Sequence, residues 1–198
     1  MPQVNGTVLL PPQYLGTAAY YHAMAVAPLA VIDTATRHDK RFKSVHRPTI
    51  LSPGGKPVTL TVPVTHTPGA RVWEDIRVSP HGHWWTVHAG AIESAYGRTP
   101  FFEYYYPLLR PLLDSSAAGM PITLFTSMID AALRGMLGID TPVSATLPPG
   151  LDAAAVTDMR GCRFGAGDEP SVLHHIFTYG PQALNTIMNE HGQADSGH

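Results

Sequence analysis

The sequence contains a single cysteine, Cys162, so no disulfide can form within it, and a reducing, cytoplasmic setting is expected. Charge is scarce: 14% of the 198 residues are charged and the formal net charge is −2. That leaves no electrostatic case for nucleic acid or an anionic membrane surface as partner. No apolar run reaches the roughly 18–20 residues of a membrane span. Residues 1–6, Met-Pro-Gln-Val-Asn-Gly, have neither the basic nor the apolar region of a secretory leader. Gly-x-Ser-x-Gly, Walker A and Gly-x-Gly-x-x-Gly patterns are all missing, which disfavours three large enzyme classes. The cofactor is left unknown. No repeat or low-complexity segment is present.

What the chain does have is 44% hydrophobic residues, 19 prolines, 18 glycines and 11 histidines. It can bury a core, but from short elements with frequent turns. The most ordered stretch is 8–33. Val8-Leu9-Leu10 reads as a buried strand. Pro11-Pro12-Gln13-Tyr14-Leu15-Gly16 then interrupts it, because proline cannot donate to a ladder. Residues 17–27 are helix-compatible, and Leu29-Ala30-Val31-Ile32 reads as a second buried strand ending at Asp33. Strand, loop, helix, strand is a βαβ unit, and such sheets take ligands beyond the carboxyl ends of their strands. Gln13, Tyr14 and Asp33 lie at those ends.

Residues 34–43 are polar and basic, either a solvated loop or an anion-binding one. Residues 44–51 and 57–64 flank Ser52-Pro53-Gly54-Gly55-Lys56, a hairpin signal, and 71–78 could add an edge strand. From Trp84 the apolar positions 84, 87, 88, 91, 92, 95 and 96 mark a helix, with Ser79-Pro80 as its start signal. Pro107 and Pro111 should split 101–113 into two helices. Ile122–Leu137 carries the clearest apolar stripe, closed by Gly138. Residues 142–168 read as loop, 170–179 and 181–188 as two last helices, and 193–198 as a frayed polar tail. The expected fold is α/β, a βαβ start with a mixed sheet in the N-terminal half and a mostly helical C-terminal half.

Histidines 81, 83 and 88 could converge on a metal, but no carboxylate follows at helical spacing. His88 alone could pack in the core or act as an acid/base group on a cleft, since imidazole titrates near neutrality. His66 lies at a strand end, where binding residues often sit. Cys162 reads as a buried thiol more readily than as a nucleophile. Asp33 must be solvated, paired with Arg37 or Arg47, or functional, because an unpaired buried carboxylate is costly. Arg47 could clamp that carboxylate or an anionic ligand.

The order of these short patterns resembles the WbqC-like family of bacterial polysaccharide gene clusters. Pro11–Gly16 resembles its Gln-Pro-x-Tyr-Leu-Pro loop, and Val31-Ile32-Asp33 its Asp-ended strand. His46-Arg47-Pro48-Thr49-Ile50 resembles its Asn-Arg segment, and Leu60-Thr61-Val62-Pro63-Val64 its Thr-Val-Pro-Val strand. Further resemblances are Trp85-x2-His88, Ile92-x3-Tyr96, Pro100-Phe101-Phe102, Leu137-Gly138-Ile139-x-Thr141 and Tyr179-Gly180-Pro181. Pro11, Gly16, His46 and His174 depart from the family pattern. The resemblance covers residues 1–192 as one domain and implies a role in O-antigen or other surface-polysaccharide assembly. The expected partner is a small molecule, an activated sugar or acyl donor such as a nucleotide-sugar, and the expected chemistry is group transfer. His88 and Asp33 are the catalytic candidates; Gln13, Tyr14, Arg47, His66 and Tyr96 are the binding candidates. A non-catalytic scaffold and a metal-dependent hydrolase are the alternatives.

Overall fold

The computed structural model describes residues 4–37, 45–65, 68–165 and 169–192. His66, the basic stretch 38–44 and the tail 193–198 lie outside the described residues. The chain opens with strand β1 (Thr7–Leu10), helix α1 (Ala18–Ala25) and strand β2 (Ala30–Ile32). β1 and β2 pair in parallel, with Val8 opposite Ala30 and Leu10 opposite Ile32. Every residue of both strands is buried, which is why they read as unbroken apolar runs rather than as alternation. Thr17 caps α1 by accepting from the Tyr20 amide at 3.4 Å.

A hairpin follows, β3 (Thr49–Leu51) against β4 (Pro57–Thr59), turning at Ser52–Lys56 as its Pro-Gly-Gly implies. β4 lies exposed; the buried side chains of that stretch are Leu60 and Val62, just beyond the strand. A second antiparallel pair joins β5 (Val64–Thr65) to β6 (Arg77–Val78), and a 3-10 turn at Trp73–Asp75 replaces much of the strand expected over 71–78.

Helix α2 (Trp84–Tyr96) starts four residues later than Ser79-Pro80 suggests. Ser79 Oγ instead accepts from the His81 amide at 3.2 Å, just before a 3-10 turn over His81–His83. Helix α3 (Phe102–Leu109) runs through Pro107 and ends near Pro111. Helix α4 (Ile122–Leu137) buries Ile122, Phe125, Ile129, Leu133 and Met136, while Met128 turns out to solvent. It stops at Gly138, whose φ of 70° is the left-handed geometry that favours glycine. No helix among the described residues is long and apolar enough to cross a membrane.

The stretch 142–168 corrects the expectation of a loop. It supplies β7 (Val143–Ser144) and β8 (Val156–Asp158), which pair in parallel with β2 and β1. The main sheet thus has the order β7-β2-β1-β8. The α/β architecture is present, with parallel and antiparallel pairing in separate sheets, and both outer strands of the parallel sheet come from late in the chain. Helices α5 (Leu173–Tyr179) and α6 (Ala183–Gly192) close the molecule, α6 packing on α1.

Candidate functional site

The parallel sheet puts three chain segments side by side at its carboxyl edge: the loop after β1, Asp33 after β2 and Met159-Arg160 after β8. The β1 loop is buried throughout 11–17. Leu15 within it has φ of 50°, a left-handed conformation that costs a non-glycine residue about 1 kcal/mol or more. The surrounding packing over-determines it, since Leu15 is buried. Gly16 follows because a Cβ there would come within 3.0 Å of Tyr20 Cδ1 and 3.2 Å of Tyr21 Cε2.

Tyr14 and Gln13 point into different surroundings. Tyr14 is wholly buried, lies against Phe125, and stacks on His88 with ring centroids 5.6 Å apart. Its hydroxyl lies 3.0 Å from His88 Nδ1, and His88 Nε2 lies 3.2 Å from the Thr61 carbonyl. A carbonyl only accepts, so Nε2 carries the ring proton and Nδ1 takes the hydrogen bond that Tyr14 donates. Burial lowers the His88 pKa to about 4 and raises that of Tyr14 well above the ordinary tyrosine value. Both groups are therefore neutral at pH 7. His88 also lines a cleft of about 300 Å³ between Thr59–Pro63 and the start of α2, with His81, Trp84 and Val87.

Gln13 is buried with Nε2 unpartnered. Its Oε1 lies 3.4 Å from the point a Gly16 Cβ would occupy, the same point that the Tyr20 and Tyr21 rings crowd. Both tyrosine hydroxyls are buried without a hydrogen bond of full geometry, and Tyr21 is turned toward Asp130 on α4. Asp130 in turn accepts from Arg134 Nε at 2.8 Å through Oδ2, while its Oδ1 has no bond of full geometry. Burial raises the Asp130 pKa, with Arg134 acting against it. This pair lines a groove of about 350 Å³ running from α4 to the carboxyl ends of β2 and β7.

Asp33 is paired, and its partner is neither Arg37 nor Arg47. Arg160 Nη1 donates to Asp33 Oδ2 at 2.7 Å, while its Nη2 and Nε reach the two oxygens of Asp158 at 2.7 and 3.0 Å. One guanidinium thus links the ends of β8 and β2 across β1. The bond to Arg160 holds Asp158 below the usual carboxylate range. Arg47 is exposed and makes no ion pair among the described residues. Tyr96 is buried two turns beyond His88, accepting from the Leu51 amide at 3.2 Å and packing on Phe177.

The structure therefore brings Tyr14 to His88, leaves Asp33 with Arg160, and places Gln13 on the tyrosine side. His66 lies outside the described residues. Among the described residues no three His, Cys, Asp or Glu side chains converge as a metal site requires. His81 and His83 are exposed, and both ring nitrogens of His88 are engaged. The Cys162 thiol is half-buried and its pKa is raised by burial, which disfavours the thiolate.

Arg160, Asp130 and Arg134 were not singled out in the sequence. Asp130 and Arg134 did leave a signal, an i,i+4 ion pair set beside the buried stripe of an otherwise apolar helix. The Asp-x-Arg pattern at 158–160 gives none until β8 is known to end there.

A family model described as the WbqC-like protein family matches residues 11–155. No curated protein and no solved structure matches the chain.

Proposed function

The chain belongs to the WbqC-like family, and from that premise we propose that it is a group-transfer enzyme of surface-polysaccharide assembly, acting on an activated sugar or acyl intermediate. The observation that carries the reading is the position of the groove of about 350 Å³, which opens at the carboxyl ends of parallel strands β2 and β7. Open α/β sheets bind their ligands there, because loops at that edge can vary while the strands hold them rigid. His88 and Asp33 remain the acid/base candidates, Asp33 between the groove residues Ile32 and Thr34 and His88 on the separate cleft of about 300 Å³. The imidazole is neutral at pH 7 with its lone pair on the Tyr14 hydroxyl, so it would take up a proton only through that bond.

A thermal-shift screen of the whole chain against nucleotide-sugars and acyl-coenzyme A donors tests the reading. A donor at 100 times its Kd should add about 2.7 kcal/mol, a shift of several degrees. With that donor, Asp33→Asn should abolish turnover while leaving far-UV circular dichroism unchanged. Turnover at the unaltered rate would remove Asp33 from the chemistry, and no shift with any donor would sink the reading.

The scaffold alternative also has an observation in its favour. Tyr104 and Leu108, one turn apart on α3, are 74% and 58% exposed, and the neighbouring α4 exposes Leu124 and Met128. Large apolar side chains left in water on adjoining helices suit contact with another protein. Stabilisation by a neighbouring pathway protein, with no response to small molecules, would favour that alternative.

A further inference from the structure

The outer edge of the β3–β4 hairpin carries a pattern of backbone groups that matches itself. Ser52 donates to the Lys56 carbonyl at 2.8 Å, and Leu60 and Val62 donate to those of Pro48 and His46 at 2.9 Å each. In an antiparallel ladder the bonded positions alternate, so Pro57, Thr59 and Thr61 turn their backbone groups to the outer edge. On the facing strand the Thr49 carbonyl and Leu51 amide likewise point away, to the Ser171 amide and the Tyr96 hydroxyl. Pro57 has no N–H to offer, and the Thr61 carbonyl is taken by His88 Nε2 at 3.2 Å. The edge is left with the Thr59 amide and carbonyl, the Thr61 amide and the Pro57 carbonyl, none of them partnered among the described residues. All three residues are exposed.

The side chains beside this edge are apolar. Side chains alternate along the strand, so Val58 shares a face with the buried Leu60 and Val62, yet it is itself 38% exposed. Leu60, Trp84 and Val87 line the cleft of about 300 Å³, and Val87 is 62% exposed. Among the described residues that lining holds no acidic, lysine or arginine side chain. The edge therefore offers hydrogen bonds in a row with an apolar recess beside them, the two things an added strand needs.

Donor and acceptor charges decide what that strand is. An unrelated extended peptide would leave an acceptor facing Pro57 and a donor facing the occupied Thr61 carbonyl. A second copy of this chain, laid antiparallel about a two-fold axis through Thr59, leaves neither, because its two exceptions face each other. The two Thr59 residues then exchange N–H···O=C bonds, and each Thr61 amide meets the Pro57 carbonyl of the second copy. Every partial charge on the edge is complemented. Sliding one copy by two residues would leave a Thr59 amide or carbonyl unmet, so one register is singled out. A two-fold contact of this kind consumes the edge and stops at two copies.

We propose that the chain self-associates through this edge, β4 against β4 of a second copy about Thr59, with each Val58 entering the other copy's cleft beside Trp84 and Val87. Val58 then lies directly opposite Leu60 of the second copy, at the closer, non-bonded kind of cross-strand pair.

Sedimentation velocity of the whole chain over a range of concentrations, with hydrogen exchange on the same samples, tests this. The chain should dimerise as concentration rises, and the Thr59 and Thr61 amides should gain protection as it does. Thr59→Pro removes a donor that the hairpin itself does not use, and Val87→Glu sets a charge in the cleft from an exposed position. Each should weaken dimerisation by about tenfold or more, with circular dichroism as in the parent. Should Thr59→Pro perturb the hairpin, Val87→Glu alone decides, and unchanged dimerisation there overturns the proposal. A chain that stays monomeric throughout overturns it as well. So does a dimer whose Thr59 and Thr61 amides exchange freely, since its contact would lie on another face, such as the exposed side chains of α3 and α4.

Discussion

His88 has no tautomeric freedom: the Thr61 carbonyl holds its one proton, and the Tyr14 hydroxyl fills its lone pair. Protonating the ring would cost it the hydrogen bond that Tyr14 donates, and burial lowers its pKa from 6.5 to about 4. The unfolded chain binds that proton first as pH falls. The contribution of His88 to stability is therefore complete above about pH 6.5 and is lost as pH falls to 4, a change of about 3 kcal/mol. His88→Gln keeps a donor and an acceptor but cannot titrate. Urea denaturation across pH 4–7 should show a shallower loss of stability in the variant; parallel curves would mean that His88 does not titrate in this way. Tyr14→Phe should cost about 1–2 kcal/mol, because Nδ1 is then buried without a donor. Both residues stand out in the sequence through their neighbours, Tyr14 in its Pro-Pro loop and His88 in a helical stripe. Their bond spans 74 positions, and no local pattern encodes it.

Strands β7 and β8 show what a short element needs in order to persist. With two and three residues they are too brief to carry period-2 alternation, and neighbouring proline, glycine and alanine disguise them as loop. Each is defined by its partner strand in the interior of the sheet, so its stability is tertiary. The β1–α1–β2 unit, the Pro-Gly-Gly hairpin and α4 were legible because each carries its own signal in turn residues, caps or periodicity. Arg160 is the side-chain counterpart of that tertiary pairing, linking β8 to β2 through Asp158 and Asp33. Because Arg160 and Asp158 are partly solvated, Arg160→Ala should cost only about 1 kcal/mol, and less in molar salt. Chemical denaturation at low and high ionic strength measures both. At the α5–α6 junction a larger effect is expected. Gly180 has φ of 53°, and a Cβ there would sit 2.5 Å from the Phe101 ring. Gly180→Ala should therefore cost about 2–4 kcal/mol, read as a fall in thermal midpoint.

Across the whole molecule, the family match ends at residue 155, one position before β8 begins. The packing does not end there. Met159, Phe164, Leu173, Ile176, Phe177, Ala183 and Ile187 are all buried in the same apolar cluster as Val8, Leu10 and Tyr20. Ser171 pairs its amide with the Thr49 carbonyl, and Val172 with that of Gly16, so the strained β1 loop is braced by the C-terminal third. Cutting the chain after residue 155 would strip β1 of its outer partner and leave Thr7–Leu10 as an exposed apolar edge, the kind that pairs with other chains. It would also uncover the α1 face that receives α6. The expected outcome is a 1–155 fragment with no cooperative thermal transition, collapsed NMR dispersion and a tendency to aggregate. A chain ending at residue 192 should unfold like the parent. A monomeric 1–155 fragment that melts cooperatively would show that the matched segment folds alone, with the last helices an accessory to it.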